Sequence, residues 1–204
     1  MTPSQRPLVI VVDDDATLRG SFGDLFASVG LDMTAYPSVS AFLEAGFPEC
    51  PACLILDVRM PGESGLDLQD RLRSLGVRIP IIFITGFADV AMSVRAMKRG
   101  AANFLAKPLR DQDLLDAVAE ALKEDTERRE KNRGIQELRN LATELTAREM
   151  EVLKGVSRGL LSKQIAYELG IAETTVKMHR SSVFRKLKAV TAADLVQKAK
   201  LLED

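Results

Sequence analysis

The amino-acid sequence predicts an α/β protein in which a doubly wound parallel sheet of five βα units precedes a helical linker and a small all-α domain. Short apolar runs alternate with amphipathic stretches as far as residue 122, and only helical periodicity follows residue 145. Strands that alternate with helices form parallel sheets covered on both faces. We therefore expect domains over residues 1–122 and 145–204, joined by a charged helical linker over 123–144.

Five apolar runs have the length and composition of buried strands, and they lie at residues 8–12, 32–36, 53–56, 80–85 and 103–106. Helical patterns near 16–28, 38–44, 65–74 and 89–99, and a last one from about 111, follow them in order. Ligands of such sheets bind beyond the carboxyl ends of the strands. The residues that end each strand are therefore the first candidates for a site.

The composition excludes several classes of protein. Apolar residues make up 46% of the chain and charged residues 28%, which is typical of a folded globular protein. The first residues lack the apolar stretch of a secretory signal, and no apolar run approaches the length of about 20 residues that a membrane helix needs. We therefore expect a cytoplasmic protein without a membrane partner.

The charge is distributed unevenly along the chain. Residues 1–122 carry 11 Lys and Arg against 16 Asp and Glu, residues 123–144 carry six of each, and residues 145–204 carry 11 against seven. An acidic first part and a basic last part indicate two modules with different partners. The basic part is a candidate for contact with nucleic acid.

The two cysteines form a C-x-x-C motif, Cys50-Pro51-Ala52-Cys53. A thioredoxin-like site would place this motif at the start of a helix, whereas here it leads into a predicted strand. A zinc site needs further ligands, and the single histidine, His179, is remote in the sequence. We expect one thiol in a loop and one in the core.

The predicted linker has two parts. Between residues 123 and 133 there is no Leu, Ile, Val or Phe, and three acid-to-base pairs at i,i+4 spacing favour a solvated helix as far as Gly134: Glu124/Arg128, Asp125/Arg129 and Glu127/Lys131. An apolar stripe of Ile135, Leu138, Ala142 and Leu145 follows. This stripe fits either a short coiled coil or packing against its own domain.

Polar residues follow four of the five predicted strands. Asp13, Asp14 and Asp15 come after the first, Asp57 ends the third, Thr85 ends the fourth, and Lys107 follows the fifth. Two carboxylates about 4 Å apart repel by about 4 kcal/mol at an effective dielectric constant of 20. A cluster at this edge therefore favours a hard cation such as Mg²⁺, with Lys107 and Thr85 as donors to a phosphoryl group. Alternatively, Asp13 or Asp15 only caps the first helix.

These residues carry a resemblance to a known family. Val11–Asp15, Leu56–Pro61 with Gly65, Ile84–Gly86 and Lys107-Pro108 together resemble the flavodoxin-like receiver domain of bacterial two-component response regulators. The resemblance implies that Asp57 is the phosphoacceptor. It also implies that Asp14, Asp57 and the backbone carbonyl of Arg59 hold Mg²⁺, with Asp13 assisting through water.

The same resemblance assigns further roles. Thr85 would form a hydrogen bond with the acylphosphate, and Lys107 would pair with it. The Lys107-Pro108 peptide bond would be cis. Phe104 matches an aromatic residue that repacks when the threonine turns toward the phosphate, so Thr85 and Phe104 would form a switch. The alternative for Phe104 is an ordinary place in the core.

Residues 145–204 predict four helices, near 147–158, 162–169, 174–187 and 192–202. The second and third, with a turn at Gly170, have the spacing of a helix-turn-helix. A buried stripe in the third helix, formed by Val176, His179, Val183 and Leu187, leaves Met178, Ser181, Ser182 and Arg185 facing outward. Such a helix fits the major groove of DNA, with basic flanks that reach phosphates.

The string from Leu145-Thr146-Ala147-Arg148-Glu149 to Lys186-Leu187 resembles the LuxR-type helix-turn-helix. The resemblance makes Lys177, Met178 and Ser181 the base-edge contacts. It makes five residues phosphate contacts: Lys163, Thr174, Thr175, Arg180 and Arg185. It also makes the last helix a dimer surface. Two residues depart from the pattern, Ser162 and Ala172, and the second is a poor N-cap for the recognition helix.

Both halves together resemble the NarL/FixJ response regulators, on the FixJ side. The resemblance implies a transcription factor, not an enzyme, that a sensor histidine kinase phosphorylates on Asp57 with Mg²⁺. It would then form a homodimer, bind promoter DNA and contact RNA polymerase. One alternative is a DNA-binding regulator that works without phosphorylation. Another is a Mg²⁺-dependent phosphohydrolase, which Arg59 disfavours because such an enzyme wants an acid/base carboxylate just after its nucleophile.

Overall fold

The structure is a computed structural model that describes residues 6–86 and 90–203. The chain divides after Arg129 into two compact units. The first unit is the predicted sheet with its helices, and the second is helical throughout. The predicted α/β class is confirmed. The predicted boundaries after residues 122 and 144 stay a prediction.

Within the described part of the first unit, five parallel strands form one sheet in the order β2-β1-β3-β4-β5. Their bounds are β1 Leu8–Val12, β2 Asp32–Tyr36, β3 Ala52–Asp57, β4 Ile81–Thr85 and β5 Asn103–Ala106. The strands begin and end within one residue of the prediction. Pro80 lies just outside β4, although its carbonyl still accepts a bond of 2.9 Å from the Leu54 N–H.

Helices cover both faces of this sheet. Their bounds are α1 Ala16–Ser28, α2 Val39–Ala45, α3 Gly65–Ser74, α4 Val90–Lys98 and α5 Asp111–Ala142. One face packs against α1 and α5 and the other against α2, α3 and α4. Successive apolar residues of the central strands β1, β3 and β4 enter opposite cores, which is why these strands are almost entirely apolar. The predicted start of the fourth helix at residue 89 lies outside the described residues.

The second unit contains the end of α5 and four further helices, α6 Ala147–Ser157, α7 Ser162–Leu169, α8 Glu173–Lys186 and α9 Ala192–Glu203. Their apolar faces form a single core. Val176, Val183 and Leu187 are buried in it as predicted, while His179 is half-buried. The turn between α7 and α8 begins at Gly170, whose φ of 63° lies in the left-handed region that glycine adopts without strain.

The linker differs from the prediction in two respects. Helix α5 continues through Gly134 to Ala142, so the glycine does not end it. Asp125 is fully buried, although the sequence predicts a solvated helix here. Its carboxylate accepts hydrogen bonds from the Ala52 N–H at 2.9 Å and from Arg129 Nε at 2.6 Å. The apolar stripe packs against its own unit, with Leu138 and Ala142 in the core of the helices.

The cysteines lie where the sequence predicts them. Cys53 is buried in β3 and Cys50 is half-buried in the preceding loop, and both are free thiols. Burial, assisted by the negative charge of Asp125, raises the pKa of the Cys53 thiol to about 12. None of the helices in residues 6–86 and 90–203 combines the length and the apolar character that a transmembrane span requires.

Candidate metal centre and nucleic-acid interface

The strand order brings the predicted acidic residues to one place. Strands β1 and β3 are neighbours with Val12 opposite Leu56, so Asp13 and Asp57 follow at the same level of the sheet. Strand β4 lies beside β3 and ends at Thr85, and Lys107 follows β5. One cavity is lined by Asp13, Asp14, Asp15, Asp57, Arg59, Thr85, Gly86 and Lys107.

Three of these carboxylates are close enough to share a cation. Oxygen atoms of Asp13, Asp14 and Asp57 lie within 4.8 Å of one another. Asp13 is fully buried, Asp57 is 7% exposed, and Asp14 is exposed. Oxygen ligands grouped beside solvent suit a hydrated divalent cation such as Mg²⁺. The donor set therefore fits the metal that the sequence predicts.

Hydrogen bonds fix the orientation of the two inner carboxylates. Asp57 Oδ1 accepts from the Arg59 N–H at 2.9 Å, and Asp13 Oδ1 accepts from the Asp15 N–H at 2.8 Å. The second oxygen of each faces Lys107, whose Nζ lies 2.7 Å from Asp57 Oδ2 and 3.0 Å from Asp13 Oδ2. Each carboxylate is thus held by one backbone N–H and by the same ammonium group.

The charges in this cavity shift the pKa values of two groups in ways that follow from their surroundings. Burial raises the pKa of Asp13, against the opposing effect of the Asp15 N–H and of Lys107. Burial lowers the pKa of Lys107, but its hydrogen bonds to Asp57 and Asp13 outweigh this and raise the pKa overall. Lys107 is therefore a cation at neutral pH and offsets part of the negative charge of the cluster.

Asp15, Thr85 and Phe104 complete the predicted residues of the first unit. Asp15 lines the cavity but also caps α1, because its Oδ1 accepts from the N–H groups of Thr17 and Leu18. Thr85 is buried, and its carbonyl accepts from the Lys107 N–H at 2.8 Å. The Lys107-Pro108 bond is cis, as predicted. Phe104 is half-buried, with its ring centroid 6.3 Å from that of Phe83.

Gly65 supports this site through a close approach of two backbone segments. A Cβ atom at Gly65 would lie 2.4 Å from the carbonyl oxygen of Asp57 and 3.0 Å from the Leu56 side chain. The start of α3 can therefore lie against the end of β3 only because residue 65 has no side chain. The sequence shows the glycine within its motif, but not the contact that requires it.

The outward face of α8 has the composition that a DNA-binding helix needs. Residues Thr174, Lys177, Met178, Ser181 and Arg185 are exposed, and Thr175 and Arg180 are half-buried. Lys163 is exposed on α7. Ala172 occupies the N-cap position of α8 without a side-chain bond, as its residue type predicts. Lys177 lies 2.8 Å from Glu173 within the same helix, an exposed ion pair that lowers the pKa of Glu173.

An ion pair between the buried Glu149 and the half-buried Lys186 anchors the end of α8, and sequence reasoning missed it. Glu149 Oε2 accepts from Lys186 Nζ at 2.7 Å and from the Thr146 N–H at 2.8 Å. The hydrogen bonds from Lys186 and Ser182, with that from the Thr146 backbone, lower the pKa of Glu149 to about 2. The Thr-x-x-Glu spacing indicates a capping box, which is present. It does not reveal that the same carboxylate binds the end of α8.

A doubly wound sheet with a carboxylate and lysine cavity at its strand ends, followed by a helix-turn-helix unit, defines a receiver joined to a DNA-binding domain. Residues 9–119 match the family model of the response regulator receiver domain, and residues 143–199 match that of the luxR family of bacterial regulatory proteins. The chain belongs to the two-component response regulators, on the FixJ side of the NarL/FixJ family, and this confirms the resemblance.

Several relatives match nearly the whole chain. It is 49% identical to nodulation protein W of Bradyrhizobium diazoefficiens, over 98% of this chain and 88% of that protein. It is 41% identical to the transcriptional regulatory protein FixJ of Azorhizobium caulinodans, over 98% and 94%. The solved structure of the response regulator StyR superimposes with a TM-score of 0.83 at 45% identity, over 96% of this chain and 99% of that one. The chain is accordingly a transcriptional regulator.

Proposed function

We propose that Asp57 accepts a phosphoryl group from a sensor histidine kinase, and that this reaction controls the binding of α8 to promoter DNA. The observation that carries the proposal is the cavity in which Asp57 lies between two further carboxylates and the ammonium group of Lys107. A carboxylate nucleophile with cationic neighbours is the arrangement that phosphoryl transfer requires.

In the proposed transfer, a carboxylate oxygen of Asp57 forms a bond to phosphorus while the bond between phosphorus and the donor nitrogen breaks. The nitrogen keeps the electron pair and takes a proton from solvent. Lys107 and the Thr85 hydroxyl would then bind oxygens of the phosphoryl group. Asp14, Asp57 and the Arg59 carbonyl would hold Mg²⁺, with Asp13 acting through water. The bound metal supplies positive charge that neutralises the phosphoryl oxygens.

The proposed signal leaves the cavity through Thr85 and Phe104. When Thr85 turns toward the phosphoryl group, Phe104 would repack against β4 and change the surface of α4 and β5 that carries Arg95 and Lys98. That surface would pair two receivers into a homodimer. Changing an equilibrium from 1:99 to 99:1 takes about 5.5 kcal/mol, which a charged acylphosphate can supply through several charge-assisted bonds.

The proposed output is recognition of double-stranded promoter DNA in the cytoplasm, with RNA polymerase as a further partner. Lys177, Met178 and Ser181 would contact base edges. Phosphate contacts would come from the surrounding set, Lys163, Thr174, Thr175, Arg180 and Arg185. A dimer, with α9 as the contact between helical units, would place two copies of α8 about 34 Å apart, one turn of DNA.

This proposal is tested by the response of DNA binding to phosphorylation. Target duplexes are first selected from random sequences with the full-length chain. Their affinity and the oligomeric state of the protein are then measured with and without a small phosphodonor and Mg²⁺, for the wild type and for Asp57→Asn. We expect the donor to raise affinity at least tenfold and to produce dimers in the wild type alone. Phosphate uptake without any change in affinity would contradict the proposal and favour a phosphorylation-independent regulator.

A further inference from the structure

A second cavity lies at the opposite edge of the sheet from the acidic site, where β4 begins. The end of α3, the loop that leads into β4, the turn after α4 and one side of α5 form its walls. None of the residues assigned to phosphorylation or DNA binding lines it. Any ligand of this cavity would therefore be distinct from those of the two sites described above.

The walls of this cavity carry an excess of positive charge. Four arginines line it, Arg73, Arg78, Arg99 and Arg128, against the single carboxylate of Glu124. Arg99 pairs with Asp70 at 2.7 Å, and Arg128 pairs with Asp125. Across residues 6–86 and 90–203, Arg73 and Arg78 form no ion pair. Two guanidinium groups are thus available to an anion.

Two buried polar atoms in these walls also lack partners. In the part of the chain that the structure describes, Gln69 Oε1 and Arg128 Nε are the buried side-chain atoms without a hydrogen bond, and both residues line this cavity. Gln69 is 5% exposed, and its Nε2 donates to the Ala96 carbonyl at 3.3 Å, which fixes the orientation of the amide. Leaving such atoms unpaired is unfavourable, so an acceptor and a donor on two residues that line one cavity favour a polar ligand there.

We propose that this cavity binds a small phosphorylated molecule that carries hydroxyl groups, the chemistry shared by sugar phosphates and nucleotides. Phosphate oxygens match the forked donors of Arg73 and Arg78, and a further anionic oxygen can accept from Arg128 Nε. A hydroxyl group of the ligand donates to Gln69 Oε1. Trapped water would satisfy the two buried atoms but would not account for the arginines.

The test is a nuclear magnetic resonance titration of the full-length chain without divalent cations, so that the acidic cavity repels phosphate. The signals to follow are the side-chain amide of Gln69 and the backbone amides of Gly76 and Gly100. The probes are ribose 5-phosphate, adenosine monophosphate, inorganic phosphate and ribose. We expect saturable shifts with both phosphorylated probes, at least tenfold tighter than with inorganic phosphate, and none with ribose. A preference between the two organic probes identifies the sugar phosphate or the nucleotide as the ligand class.

Matched variants assign the binding to this cavity. The double variant Arg73→Gln/Arg78→Gln is expected to weaken binding at least tenfold. Arg71→Gln, on the same helix but paired with Glu63 and outside the cavity, is expected to leave it unchanged. Unaltered amide signals elsewhere show that each variant is folded. The proposal is overturned if inorganic phosphate binds as tightly as the organic probes, if the shifts lie around Asp57 or α8, or if the double variant binds normally.

Discussion

The acidic cavity of the first unit and the outward face of α8 are assembled in contrasting ways. The cavity collects residues from the ends of four strands, and Lys107 reaches an aspartate 94 positions away in the sequence. Its inner groups are buried and each is held by backbone and side-chain bonds. The proposed DNA-binding face comes almost entirely from one helix, and most of its side chains are exposed.

This contrast predicts different responses to mutation. A site built from several strand ends depends on how closely backbone segments approach, so small changes in the scaffold should disturb it. A site on one helix keeps its geometry as long as the helix forms and remains anchored, so single substitutions there should alter binding and leave the fold intact.

Alanine substitution of one glycine in each unit compares how rigid the surroundings of the two glycines are. In Gly65→Ala the new methyl group meets the Asp57 carbonyl oxygen, which belongs to a central strand and cannot move, so we expect a loss of about 3 kcal/mol in the free energy of unfolding. In Gly155→Ala the methyl group meets the Ile165 side chain at 2.7 Å, which can partly shift. Better helix propensity also compensates there, so a loss of about 1 kcal/mol is expected.

The measurement for this pair is denaturant unfolding of the full chain, with hydrogen exchange to locate the loss in one unit or the other. Equal losses for the two variants would show that the backbone around Asp57 is no more rigid than the helical core.

The anchor of α8 is tested through Glu149. Because the folded-state pKa of this group is about 2, against an ordinary value of 4.5, its contribution is fully present above pH 4.5 and is lost as the pH falls toward 2. Glu149→Gln should therefore lower the free energy of unfolding by about 2 kcal/mol at pH 7, and by progressively less below pH 4.5. Denaturant unfolding followed by circular dichroism between pH 7 and pH 3 measures the difference from the wild type.

The matched control is Glu151→Gln, because Glu151 forms only an exposed pair with Arg148. Its effect should stay within about 0.5 kcal/mol at every pH. A Glu149→Gln variant as stable as this control would show that the pair of Glu149 and Lys186 does not anchor α8.

The DNA-binding face is tested through Arg180, a predicted phosphate contact. Arg180→Ala should weaken binding to all duplexes by about tenfold at low salt, which is about 1.4 kcal/mol. The plot of log K against log salt should become shallower, with the magnitude of its negative slope reduced by about 1. Lys154→Ala removes one charge from an exposed position on α6 and serves as the control. A loss confined to one DNA sequence would mean that Arg180 reads bases instead.

The smallest effect concerns the two thiols, whose chemistry should differ without any effect on stability. In the native chain a soluble thiol reagent should label Cys50 at least about a hundredfold faster than Cys53, because Cys53 is buried with a pKa of about 12 and reacts only as the thiolate. Both should react at similar rates in denaturant. Mass spectrometry of the labelled peptides gives the two rates, and fast native labelling of Cys53 would show that the first unit opens readily.

The same contrast explains what the sequence could predict. Strands and helices followed from apolar periodicity, and the outward face of α8 followed from helical spacing, because both are local properties. The convergence of Asp13, Asp57 and Lys107 followed only once parallel topology was assumed. Helix α5 passes Gly134 because one glycine in a helix is unfavourable by only about 1 kcal/mol, which the packing of Leu138 and Ala142 outweighs.

The features that sequence reasoning missed all depend on distant partners. The carboxylate of Asp125 is buried by its bond to the Ala52 N–H, 73 positions earlier, although its own neighbours in the chain suggest a solvated helix. Lys186 is bound to the carboxylate of Glu149, 37 positions earlier. The cavity around Gln69 joins three separate segments of the chain. No local pattern reports such contacts.

We propose that the acids of the cavity, which are distant in the sequence, converge so that Asp57 can accept a phosphoryl group. The most direct measurement is the intact mass of the full-length chain after treatment with a small phosphodonor and Mg²⁺, followed by peptide mapping. We expect a gain of one phosphoryl group, located on Asp57, and no gain in Asp57→Asn or without the metal. An unchanged wild-type mass, or a phosphoryl group on another residue, would contradict it.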